Sequence, residues 1–177
     1  RIEIRGRLEV RDALVEAGEE ERCPFGQVRL LVLLRQQLRR FDRRVVFADK
    51  MMFPEGSMWF DGSLYVAAAP SIWKLTDTDG DGVADKREEW FKGGTLTGCA
   101  NDLHGPYLGP DGWIYWCKGA FAKQTHEVAG KPFVTRAAHI FRARPDGSRF
   151  EPVMTGGMDN PVEVAFTPDG ERICTNT

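Results

Sequence analysis

Long hydrophobic runs are missing from this sequence. Its main apolar stretch, Val28-Arg29-Leu30-Leu31-Val32-Leu33-Leu34, is far too short to span a bilayer. A charge imbalance is missing too. Lys and Arg total 24 against 26 Asp and Glu, a net charge of −2, so neither nucleic acid nor an anionic membrane is expected as a partner. Cysteine is sparse. Cys23, Cys99, Cys117 and Cys174 stand too far apart for a C-x-x-C redox pair, a C-x-x-C-H haem attachment or a zinc site. They leave disulfides open without implying them, since an unpaired core cysteine is the commoner case. There is no G-x-S-x-G, no P-loop and no dinucleotide fingerprint, so hydrolase triads and nucleotide binding have no support. No signal peptide opens the chain, which starts at Arg1, and it is expected to be a fragment of a longer protein.

What is abundant points to β structure. Nineteen glycines, five tryptophans and 11% aromatic residues favour a turn-rich β protein, and 177 residues suffice for an ordinary core. The most specific stretch is Asp77-Thr78-Asp79-Gly80-Asp81-Gly82-Val83-Ala84-Asp85-Lys86-Arg87-Glu88, which matches the calcium-loop pattern D-x-D-x-D-G-x5-E. Crowded carboxylates repel one another unless a cation neutralises them, and Ca²⁺ takes six to eight hard oxygen ligands. The pattern assigns side-chain oxygens to Asp77, Asp79 and Asp81, a backbone carbonyl to Val83, a direct or water-mediated contact to Asp85, and a closing carboxylate to Glu88. The alternative is a solvated acidic turn. The flanks exclude an EF-hand: Ser71-Ile72-Trp73-Lys74-Leu75 follows Pro70 and reads as a strand, and Glu88-Glu89-Trp90-Phe91 meets Gly93-Gly94 too soon for a helix. The loop therefore reads as a stapled connection between two strands.

Residues 1–40 differ in composition from the rest, rich in Arg, Glu, Leu and Val, and form an atypical N-terminal segment that need not be native to the domain. Periodicity does not separate strand from helix over the apolar run, and a helix over 28–40 is favoured. From Phe41 onward a repeat emerges. Asp-Gly turns at Asp61-Gly62, Asp111-Gly112, Asp146-Gly147 and Asp169-Gly170 each lie between apolar or aromatic runs. The segments around the first, second and fourth align, with their turns 50 and 58 residues apart. That spacing allots one four-stranded blade to each repeat, as in a β-propeller. The blades are expected at about 45–97, 98–157 and, incompletely, 158–177. An open β-sandwich accommodates the strands but not the repeat. Two blades and a hairpin do not close a ring, so such a piece alone is expected to be inactive.

Phe47-Ala48-Asp49, Phe53-Pro54-Glu55-Gly56, Tyr65–Trp73, the acidic loop and His104-Gly105-Pro106 followed by Gly109-Pro110-Asp111-Gly112-Trp113-Ile114-Tyr115-Trp116 occur in order. Together they resemble a family of bacterial membrane-bound dehydrogenases whose N-terminal propeller is similar to the sorbosone and soluble glucose dehydrogenases. The resemblance covers residues 41–177. It implies an exported, periplasmic protein, a sugar or alcohol substrate, Ca²⁺, pyrroloquinoline quinone at the propeller mouth, and a downstream electron-transfer domain that carries haem. It places His104 where the sugar dehydrogenases keep their base, although the Arg that follows that base is absent here.

The residues themselves support a channel-side cluster. His104 closes the polar run Cys99-Ala100-Asn101-Asp102-Leu103 at the entry to an inner strand, and loops of this kind line a propeller's channel. An imidazole suits removal of a hydroxyl proton near neutrality. Asn101 and Asp102 are candidates to orient it or to bind a hydroxyl or cation. Lys118, after the second inner hairpin, and Asp159-Asn160, before the third, are candidates for the same channel. The alternative is a structural histidine, in a non-catalytic propeller that presents its channel to a glycan or a protein. His126, in the polar connection 118–135, and His139, in an outer strand, are expected to be surface or packing residues, and Trp59, Trp113 and Trp116 to pack between blades.

Overall fold

The computed structural model describes the backbone of residues 14–17, 27–36, 40–97 and 102–176, with side chains from residue 45 onward within those ranges. Among the described residues every regular element is a strand. β1 (Leu14–Ala17), β2 (Gln27–Gln36) and β3 (Arg40–Met52) form an antiparallel sheet in that order. This corrects the helix expected over 28–40. An unbroken aliphatic run serves a strand as well as a helix, and pairing with β3, Leu30 opposite Ala48 and Val32 opposite Val45, decides the matter.

The first blade follows: β4 (Pro54–Phe60), β5 (Ser63–Ala68), β6 (Ser71–Thr76) and β7 (Lys86–Lys92), paired antiparallel in chain order. Its inner hairpin turns at Asp61 (φ 47°) and Gly62 (φ 71°), the left-handed pair that a two-residue hairpin turn requires. The acidic loop joins β6 to β7, and the flanking strands are those read from the sequence. The second blade begins with β8 (Leu103–Leu108) and β9 (Ile114–Lys118). A hairpin of β10 (Gln124–Val128) and β11 (Lys131–Thr135) comes next, and β12 (His139–Ala143) and β13 (Glu151–Thr155) complete the blade in the order β8-β9-β12-β13. The inserted hairpin corrects the reading of 118–135 as a plain connection: Thr125 and Val134 pair across it with polar residues on both sides, too weak an alternation to stand out in sequence. β14 (Pro161–Phe166) and β15 (Arg172–Asn176) form the next inner hairpin.

The blades stack face to face through three apolar layers. Phe47, Ala48 and Met51 of β3 pack on Leu64, Val66, Ala68 and Leu75 of the first blade. Ala67 and Ile72 on its other face meet Leu103, Trp116 and Phe141 of the second, with Trp90, Phe91 and Phe150 around them. Tyr115, Cys117 and Ile140 meet Val164, with Phe166 and Cys174 alongside. Alternate residues of β5 and β9 thus point to opposite neighbours, which is why both strands read as unbroken buried runs. Cys117 and Cys174 are free thiols, and burial pushes the Cys117 thiol up to about 12; Cys23 and Cys99 lie outside the described residues.

Candidate functional site

Stacking sets the innermost strands β4, β8 and β14 side by side. Glycine makes the closest of these approaches possible. A Cβ on Gly56 (φ 141°) would collide with the Gly105 carbonyl oxygen, so β4 and β8 touch backbone to backbone. The residues just before these glycines, Glu55 and His104, are thereby brought together from successive blades. His104 Nε2 lies 3.6 Å from Glu55 Oε2 and 3.2 Å from Asn160 Oδ1. His104 is 8% exposed and Asn160 6%.

Behind this row stands a buried ion pair. Lys118, 1% exposed at the end of β9, places Nζ 3.8 Å from Asp102 Oδ1 and donates to the Gly119 carbonyl at 3.3 Å. Asp102 also accepts the Thr97 amide at 2.9 Å. Backbone bonds tie these ends together: the Gly119 amide donates to the Asp102 carbonyl at 3.2 Å and the Ala120 amide to the Asp159 carbonyl at 2.8 Å. Burial pushes the Glu55 carboxyl up to about 7, Asp102 adds to the rise and the Lys118 ammonium opposes it. Glu55 Oε2 is buried with no hydrogen-bond partner among the described residues.

Of the channel residues read from sequence, the structure brings together Asp102, His104, Lys118 and Asn160. Asp159 is exposed and joins through its backbone, its amide accepted by Asn176 Oδ1 at 2.9 Å. Asn101 lies outside the described residues. Glu55 was missed as a site residue. The signal was present in the repeat, where Glu55-Gly56 and His104-Gly105 occupy corresponding positions near the start of inner strands β4 and β8.

The acidic loop is a second candidate. Asp77, Asp79 and Asp85 each offer a carboxylate oxygen within 4.8 Å of the others. Such hard oxygen donors fit Ca²⁺. Asp77 accepts the Gly80 and Gly82 amides at 2.7 and 2.9 Å, and Asp85 accepts the Thr78 hydroxyl, which holds its carboxyl below the usual range. Asp81 accepts the Val83 amide at 2.7 Å. Glu88 lies in β7 opposite Lys74 and pairs with Lys86 at 2.9 Å. The loop is docked on β3 by the Ala84 amide, which donates to the Phe47 carbonyl at 2.8 Å.

The remaining histidines and tryptophans pack. His126 lies 5.2 Å from the Phe150 ring and 5.4 Å from Phe91, and His139 stacks on Phe141 at 5.0 Å. Burial lowers the pKa of both. Trp59 packs edge-on to Phe47, and the Trp113 ring lies 4.2 and 4.1 Å from the Arg142 and Arg144 guanidinium carbons.

Among the described residues no helix is long and apolar enough to cross a membrane. The model of a family described as a domain of unknown function (DUF7133) matches residues 12–177, and so reaches into the segment that composition sets apart. No curated protein and no solved structure matches the chain.

Proposed function

This chain belongs to the DUF7133 family, and we propose that its propeller binds a sugar or alcohol at the inner-strand row, with His104 accepting the ligand's hydroxyl proton. One observation carries the reading: β4, β8 and the residue just ahead of β14 deliver Glu55, His104 and Asn160 to one place, with His104 Nε2 held 3.2 Å from Asn160 Oδ1. A few convergent polar groups are what fixes and orients a polyol in a binding site. Nε2 of His104 faces two acceptor oxygens, Asn160 Oδ1 and Glu55 Oε2, and carries the hydrogen there, so proton acceptance from the ligand falls to Nδ1. The hydride acceptor that the resemblance implies is a tricarboxylate quinone, which needs cations to hold it. Among the described residues of the row Lys118 is the one cation, set against the carboxylates of Asp102 and Glu55. These residues do not fit that group, and no transfer step follows from them.

D-Glucose, as a neutral hydroxyl-rich probe, is expected to bind the chain at pH 8 in saturation-transfer NMR. His104→Ala is expected to weaken that binding roughly tenfold, the worth of one buried hydrogen bond to the ligand. Undiminished binding by a folded variant would remove His104 from the site.

In the same reading Ca²⁺ staples the β6–β7 loop through Asp77, Asp79 and Asp85 and takes no part in chemistry. Calcium at a hundredfold excess over its Kd is expected to stabilise the fold by about 2.7 kcal/mol. An Asp77→Ala/Asp79→Ala variant should lose the effect. Calorimetry that detects no calcium binding to the folded parent would leave the loop an acidic turn.

A further inference from the structure

Resting on that binding reading, we propose that Glu55 is the ligand-facing hydroxyl acceptor of the row and that its ionisation gates binding: a neutral polyol is held by the carboxylate and released by the carboxylic acid. The carrying observation is a buried acceptor atom that the fold leaves unanswered. Glu55 Oε2 is shielded from water yet has no hydrogen-bond partner among the described residues. Buried carboxylate oxygens are ordinarily satisfied, and one left open marks a place for a missing donor. The side chain as a whole keeps 21% of its exposure while His104 beside it keeps 10%, so Glu55 is the more accessible of the two.

The chemistry of the donor fits a hydroxyl. An ionised carboxylate only accepts hydrogen bonds, whereas the protonated acid turns one oxygen into a donor. A ligand hydroxyl can donate to Glu55 Oε2 while its own oxygen remains able to accept from a second donor. A ligand lacking an O–H, such as an ether, has nothing to give that oxygen. A carboxylated ligand would add a third negative charge beside Glu55 and Asp102. The site accordingly selects neutral, hydroxyl-bearing molecules.

Gating follows from the neighbours. Among the described residues, those facing Glu55 or its immediate partners include His104 from β8, Asp102 just ahead of β8, Lys118 from the end of β9, and Asn160 ahead of β14. Desolvation and Asp102 favour the neutral acid, Lys118 favours the carboxylate, and the balance puts the midpoint at about 7. The proton therefore leaves near neutrality, far above an ordinary glutamic acid.

The experiment is a D-glucose titration of the whole chain at pH 5.5 and pH 8, followed by ligand-observed NMR, for the parent, Glu55→Gln and His104→Gln. With a midpoint of about 7, ionisation rises from roughly one part in thirty to nine parts in ten over that interval. Affinity in the parent is expected to rise roughly twentyfold or more. Glu55→Gln should bind equally at both pH values. A pH dependence that does not come from Glu55 survives Glu55→Gln and is thereby separated. Binding that is flat in pH yet lost in His104→Gln would overturn the role of Glu55 and leave the binding reading standing. A pH dependence retained in Glu55→Gln would do the same. No binding of glucose by the parent at either pH would overturn both. A ligand-independent readout keeps the variants interpretable. Because the folded pKa is raised, the folded chain binds more protons than the unfolded one between pH 4.5 and about 7. Stability of the parent should fall as pH rises across that window and level off above it, and this component of the slope should vanish in Glu55→Gln.

Discussion

Trp116→Ala is expected to lower the unfolding free energy by about 3–5 kcal/mol, the usual cost of emptying a large aromatic site in a core. Trp116 is fully buried in β9 and is where the first two blades meet. Its ring centroid lies 4.5 Å from Phe91, 5.4 Å from Trp90 and 5.9 Å from Phe150. Trp90 and Phe91 belong to β7, so the truncation removes a surface on which the outer strand of one blade rests against the next. The cavity would be walled by aromatic rings that pack on one another and collapse poorly, which puts the loss at the upper part of the range. Trp116→Phe separates volume from polarity. The indole N–H is buried without a hydrogen-bond partner among the described residues. Phenylalanine keeps much of the ring and removes that donor, so it should cost no more than about 1.5 kcal/mol. Urea unfolding at constant m-value measures both. An alanine variant within about 1 kcal/mol of the parent would show that the blades do not depend on this layer for stability.

Lys118→Met should be comparably damaging for an electrostatic reason, by about 3–5 kcal/mol, because it leaves a buried carboxylate without its cation. Asp102 is 3% exposed, and its pairing with Lys118 Nζ at 3.8 Å is the charge compensation the structure gives it. The methionine fills the lysine's apolar volume, so the loss reports charge rather than packing. Restoring neutrality should recover most of it: Asp102→Asn in the same chain keeps an acceptor for the Thr97 amide at 2.9 Å and removes the stranded charge. The double variant should therefore be more stable than Lys118→Met alone, a coupling that a thermodynamic cycle measures directly. The same substitution acts on the neighbouring acid. The ammonium opposes the rise in the Glu55 pKa, so its loss should move the Glu55 titration further upward. A single variant as stable as the parent, with the double variant no better, would mean that the pair is not electrostatically buried.

These predictions draw on interactions of very different range, and legibility in the sequence follows range. The strands of both blades were readable because aromatic and β-branched runs bounded by turns report local chain preference. The Asp61-Gly62 turn needs two left-handed residues in a row, a demand met by few dipeptides, and at the Asp111-Gly112 and Asp169-Gly170 turns the glycine alone is left-handed. His104, Asp102, Lys118 and Asn160 were legible as a group because each flanks the same edge of a repeat whose period was visible. Residues 27–36 were not. Their aliphatic run suits either regular structure, and only the edge offered by β3 selects the strand.

The sequence by itself determined the all-β class, the blade repeat, the turns, and the acidic loop as a connection between strands. Each of these rests on neighbours a few residues apart, where backbone geometry and side-chain alternation leave little choice. Tertiary structure alone decided which side chains meet. It brought carboxylate oxygens of Asp77, Asp79 and Asp85 within 4.8 Å of one another, gave Asp81 the Val83 amide and paired Glu88 with Lys86. It buried Lys118 against Asp102, and it set Glu55 beside a histidine 49 positions along the chain. Those meetings depend on how closely two blades approach, which Gly56 against Gly105 permits. Burial and paired charge are properties of that approach, and no local pattern encodes them.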